Sequence, residues 1–187
     1  MGTIIAISLV GLGIVGMVFI MVIPSKIPSL KGSIRKSKTV WGLWFTGRGH
    51  YELVNRGSSI KRILLMRPHS EAFNRNLEVS GERSEIAASE IKRLTQKALN
   101  NGIDVKWYET PRKKSFTLYD KHTGGKPNSL DAYCIVSILK DGAPADARDT
   151  YIKKNKGEGK YYFRNSLKEF EQIWEYQSEL PKPEEYK

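Results

Sequence analysis

The sequence predicts an α/β protein: a single domain with a mixed, partly parallel sheet flanked by helices, preceded by one transmembrane helix. Three observations predict it. Thr3 to Ile23 is a run of 21 residues without a charged side chain. Ile60 to Met66 (IKRILLM) ends in four consecutive apolar residues, the pattern of a central strand buried on both faces. A helical stripe and an alternating strand follow, and strand, helix, strand in succession implies a right-handed parallel unit.

The apolar run spans about 31 Å as a helix, against about 30 Å of bilayer hydrocarbon. Lipid offers no partner to a bare amide, so a helix is the conformation expected there. A cleaved leader fits less well, because no Lys or Arg precedes the run and leader cores are about 7 to 15 residues long. Gly11-Leu12-Gly13-Ile14-Val15-Gly16 matches the dinucleotide-binding glycine pattern in letters only. That pattern has meaning between a strand and a helix, and in an apolar run glycines suit helix packing. Lys26, Lys31, Arg35, Lys36 and Lys38 follow the run and no basic side chain precedes it. The positive-inside rule therefore predicts a single-pass membrane protein whose carboxyl-terminal domain is cytoplasmic. One cysteine and no Asn-X-Ser/Thr acceptor agree with that side.

The expected organisation is an anchor over 1–24, a basic juxtamembrane linker over 25–44, a cytoplasmic α/β domain over 45–180 and a frayed tail over 181–187. Within it, Trp41 to Phe45 packs as the first strand or helix. His50 to Val54 forms a short helix with Gly57 as its C-cap, and IKRILLM is the buried strand. A helix starting near Ser80 or Ser84 runs to Asn100, because Ala87, Ile91, Leu94 and Ala98 make one stripe. Asn100-Asn101-Gly102 stops it. Ile103 to Tyr108, Ser115 to Asp120 and Tyr133 to Leu139 are strands, the last ended by Asp141-Gly142. Lys156 to Gly159 is a turn before Tyr161-Tyr162-Phe163. A final helix starts at Ser166, where Ser166-Leu167-Lys168-Glu169 has capping-box spacing, and Pro181 ends it.

The net charge is +11, from 31 basic and 20 acidic residues. Lys26, Lys31, Arg35, Lys36 and Lys38 predict attraction to anionic lipid headgroups, about 1 kcal/mol per basic residue near the surface. Nucleic acid stays open as a partner of so basic a chain.

The order Tyr51 to Gly57, IKRILLM, helix, GIDVKWY, SFTLYD, with the aromatic helix Phe170 to Trp174, is similar to one half of the phospholipase D superfamily over roughly Thr46 to Leu180. That resemblance implies a phosphodiester site of His-X-Lys, four residues, then Asp, with one histidine from each of two halves or subunits. Asp120 matches the motif aspartate. Lys113 then stands at the histidine position and Ser115 at the lysine position, so the phosphohistidine route has no nucleophile. His122, Lys126 and Asp131 are suitable residue types at spacing unsuited to one strand face. The weak catalytic candidates are thus Asp120 and His122. Arg112, Lys113 and Lys114 form a basic cluster able to hold a phosphate. Arg67 and His69 follow the carboxyl end of a buried strand, where open α/β sheets usually bind ligands. His50, His69 and His122 lack metal-ligand spacing and Cys134 sits mid-strand, so neither a metal nor a cofactor is implied.

Two readings follow. In the first, the chain is a membrane-anchored phospholipase D-like domain that lacks the catalytic histidine and acts as a binding or interaction module. In the second, it is a divergent membrane-bound phosphodiesterase or nuclease whose site is completed by a second copy or a partner chain.

Overall fold

The computed structural model describes residues 29–81, 83–138 and 149–186. The predicted membrane span, Lys26, Leu139 and Asp141-Gly142 lie outside them. Among the described residues no helix is long and apolar enough to cross a membrane.

In chain order the elements are α1 (Leu30–Arg35), β1 (Thr39–Trp44), a 3-10 helix (Arg48–Leu53), β2 (Ile60–Met66), α2 (Glu71–Ser80) and α3 (Ser84–Asn100). Then come β3 (Asp104–Tyr108), β4 (Lys114–Asp120), β5 (Tyr133–Ile138), β6 (Asp149–Lys154), α4 (Gly159–Tyr176), β7 (Ser178–Glu179) and α5 (Pro183–Tyr186). The strands form one mixed sheet in the order β6-β5-β4-β1-β2-β3-β7. Here β1, β2 and β3 are parallel neighbours, while β4, β5, β6 and β7 are each antiparallel to the strands beside them. The fold is therefore α/β with helices against a mixed, partly parallel sheet.

The parallel centre is where the sequence is most apolar. Ile63 to Leu65 and Met66 are all 0% exposed, because both faces of β2 are covered. On one face Trp107 Nε1 donates to Thr95 Oγ1 of α3 at 2.9 Å. On the other, Trp41 packs on Phe170 of α4 with ring centroids 5.1 Å apart. The Arg62 guanidinium lies between the Trp41 and Trp174 rings, at 4.8 and 5.0 Å. Gly42 is the exception in the apolar first strand, and close approach explains it: a Cβ there would lie 2.2 Å from the Trp44 indole.

Five expectations change. The linker expected over 25–44 contributes α1 and β1, and every residue of β1 is buried, since Val40, Trp41 and Leu43 are as apolar as any core strand. The expected helix at His50 is a 3-10 helix capped at Val54. Gly57, at φ 79°, instead makes the turn into β2. An additional helix, α2, precedes α3. Ser70 caps it by accepting from the Phe73 N–H at 3.2 Å, and Gly81 at φ 67° ends it. The last helix begins at Gly159 rather than Ser166. Phe163 extends the Leu167, Phe170, Trp174 stripe by one turn, so Ser166 faces the core at 3% exposure instead of capping. The tail packs back on the domain as far as Tyr186: Pro181 is buried and Glu185 of α5 pairs with Arg67 at 2.8 Å.

Candidate functional site

The residues singled out in the sequence fall at opposite ends of the sheet. Arg67, His69 and Arg112 to Lys114 lie at the carboxyl edge of the parallel strands. Asp120 and His122 lie at their amino edge, because β4 runs antiparallel to β1. The seven residues of β4 separate the two groups by about 20 Å.

At the carboxyl edge the cations are matched by carboxylates. Arg67 pairs with Glu109 and Glu185 at 2.8 Å and with Glu179 at 2.9 Å, and it lies over the Trp107 ring. Arg112 and Lys114 share Glu169, and the Arg112 carbonyl accepts from Asn76 at 3.1 Å. These contacts tie β2, β4, α2, α4 and α5 together. Lys113 is exposed. His69, exposed and at φ 62°, turns the chain into the Ser70 cap and touches the Phe73 ring edge-on. The cleft bounded by Arg112 to Ser115, Phe45, Asn76 and Tyr108 has a volume of only about 10 Å³.

Asp120 ends β4 and is 0% exposed. Its Oδ1 accepts from the N–H groups of His122 at 2.8 Å and Thr123 at 3.2 Å and from the Ser129 hydroxyl at 2.8 Å. Its Oδ2 accepts from the N–H groups of Asn128 at 3.0 Å and Ser129 at 2.8 Å. Burial alone would raise the carboxyl pKa. The N–H groups of His122 and Ser129 and the hydroxyls of Ser129 and Thr123 outweigh it and hold the pKa at about 2. Asp120 thus folds the loop from 121 to 129 around itself, and these bonds saturate its acceptor capacity.

His122 turns away from that carboxylate. Its ring is exposed, and Nε2 lies 3.4 Å from Asp131 Oδ2. It lines a cleft of about 800 Å³ with Ser29, Gly32, Ser33, Lys36, Lys121, Asp131, Tyr133, Ile152, Lys154 and Lys156. Lys156 Nζ approaches Asp131 at 3.8 Å, whereas Lys36, Lys121 and Lys154 pair with no carboxylate among the described residues. Across α1 a second cleft, about 590 Å³, is lined by Lys31, Arg35, Lys38 and Lys61 and by the single carboxylate of Glu52. Lys126 is set apart and bridges to Glu171 at 2.6 Å.

The remaining candidates are structural. The His50 ring stacks on Trp44 at 3.7 Å, and burial lowers its pKa to about 3, so it is neutral at physiological pH. Burial pushes the Cys134 thiol up to about 11, with the Ser166 hydroxyl tempering the rise. The cleft residues Lys121, Tyr133, Lys154 and Lys156 do not stand out as a group in the sequence, because three separate segments supply them and no spacing links those segments. Comparison with protein-family models, curated proteins and solved structures finds no match to this chain.

Proposed function

We propose that this chain is a membrane-anchored interaction module whose cytoplasmic domain turns a basic face toward an anionic surface. The observation that carries this reading is the distribution of unmatched charge. Cations at the carboxyl edge are bound by Glu109, Glu169, Glu179 and Glu185. Exposed Lys31, Arg35, Lys36 and Lys38 crowd the opposite edge, where residues 1–28 join the domain. A domain hung from a membrane by that segment presents this edge to the headgroups, whose negative potential attracts such clusters.

The order of the 3-10 helix, β2, the crossover helices, β3 and β4 supports a degenerate phospholipase D-like half. The environment of Asp120 speaks for a module without phosphodiester chemistry. A carboxylate committed to five bonds within its own loop has no lone pair left to orient a histidine or accept a substrate proton.

The test is hydrolysis of a chromogenic phosphodiester by the full chain in detergent micelles. The expected outcome is a rate at the buffer background, unchanged by His122→Ala. Turnover that disappears in His122→Ala would overturn the module reading in favour of a divergent phosphodiesterase.

A further inference from the structure

We propose that the cleft between α1 and the β4–β5 loop is a binding site for a phosphorylated polyol headgroup of a membrane lipid. The inference rests on the anchored reading above and goes beyond surface attraction, because the lining of the cleft combines several cations with hydroxyl-bearing side chains.

The lining includes Lys36, Lys121, Lys154 and Lys156, with His122 and, as its only carboxylate among the described residues, Asp131. Four lysines against one aspartate leave an excess of three positive charges. A simple phosphodiester headgroup offers about one compensating charge, whereas each phosphomonoester adds about 1.5 to 2 more. The hydroxyl-bearing residues Ser29, Ser33 and Tyr133 also line it. Ser33 is 2% exposed. Its Oγ lies beside the Tyr133 phenol, and that contact tempers the rise in the Tyr133 pKa that burial causes. Gly32, also in the lining, leaves room for the cap of α1. A Cβ there would fall 2.8 Å from Ser29 Oγ, the atom that caps α1 by accepting from the Gly32 N–H at 3.1 Å. The volume, about 800 Å³, lies within the range of small-ligand sites.

Chain length places the cleft within reach of lipid. Ser29 lines it, and the apolar run ends at Ile23. The six peptide steps between them span at most about 20 Å when fully extended. A soluble polyol phosphate shares the headgroup's chemistry, but this tether holds the cleft at the bilayer surface, where a lipid is present at far higher local concentration.

The experiment is lysine footprinting of the full chain in nanodiscs, reading acylation rates residue by residue. One set contains phosphatidylcholine with phosphatidylinositol bisphosphate, and a second contains phosphatidylserine at matched charge. A third is phosphatidylcholine alone with free inositol trisphosphate added. With the bisphosphate lipid, Lys36, Lys121, Lys154 and Lys156 are expected to be protected about fivefold beyond Lys31, Lys38 and Lys61. With phosphatidylserine both groups should be protected alike. Lys121→Gln and Lys154→Gln, each about fivefold weaker, should together abolish the selectivity while leaving the phosphatidylserine response intact. Equal protection of both groups by the bisphosphate lipid overturns the site. Protection by free inositol trisphosphate matching that by the lipid overturns the lipid as its ligand. Release of the chain from bilayers by alkaline carbonate overturns the anchored reading itself, an outcome separate from firm insertion with even protection.

Discussion

Asp120 is the residue on which sequence and structure differ most in meaning. Its position at the end of an alternating strand suggested a motif aspartate, and its five hydrogen bonds make it the organiser of a loop. Its carboxyl is held at about 2, below the ordinary value of 3.8, so the folded chain binds that proton less readily than the unfolded one. The stability this contributes, about 2 kcal/mol, is complete above about pH 4 and is lost as the pH falls toward 2. Asp120→Asn replaces one acceptor oxygen with a donor facing the Asn128 and Ser129 amides. We expect it to cost about 3 kcal/mol at neutral pH and to flatten the acid limb between pH 4 and 2. Urea unfolding of the full chain in micelles, followed by tryptophan fluorescence, measures both. An Asn variant with wild-type stability and an unaltered acid limb would show that the loop does not depend on this carboxylate. No spacing rule could have exposed the role, because four of the five donors are backbone N–H groups that any residue but proline could supply at those positions.

Among the elements, those with strong periodicity were legible and those set by neighbours were not. The bounds of β2 match IKRILLM residue for residue, since four apolar residues in succession leave no exposed face. The stripe of α3 was equally plain. The start of α4 was misplaced because Ser166-Leu167-Lys168-Glu169 imitates a cap, while Phe163 and Ser166 lie on the face that meets β5. The edge strand β6 passed unnoticed, because DTYIKK carries too little apolar character to signal a buried face. Within β1 the fit is steric. Trp44 swings over Gly42 to donate from Nε1 to Thr117 Oγ1 at 2.8 Å, tying β1 to β4. Gly42→Ala forces the indole aside, and we expect a loss of about 1 to 3 kcal/mol with a red-shifted tryptophan emission. An Ala variant that unfolds at the wild-type urea midpoint would mean that the indole has room to move.

At the scale of the whole molecule the decisive feature is which edge carries charge without partners. A fragment starting at Ser29 should bind phosphatidylserine vesicles and lose most of that binding between about 0.1 and 1 M salt, as the screening length falls from about 10 to 3 Å. Replacing Lys31, Arg35 and Lys38 with Gln should weaken binding about fivefold per residue. Replacing Arg164 and Lys168 of α4 should not. Vesicle cosedimentation across a salt series reads both, and salt-insensitive binding, or equal losses from both sets, would refute a directed basic face. The sequence by itself determined the α/β class, the parallel β2–α3–β3 unit and the prediction of an anchor with its basic flank. All of these rest on local periodicity and on charge counted along the chain. Only the tertiary structure decided that Arg67, Arg112 and Lys114 are matched by glutamates more than forty residues away in the chain. It alone brought Lys36, Lys121, Lys154 and Lys156 to one cleft. The reason is physical: a charge acts through the distance to its partners in space, and strand order and direction, not spacing along the chain, set those distances.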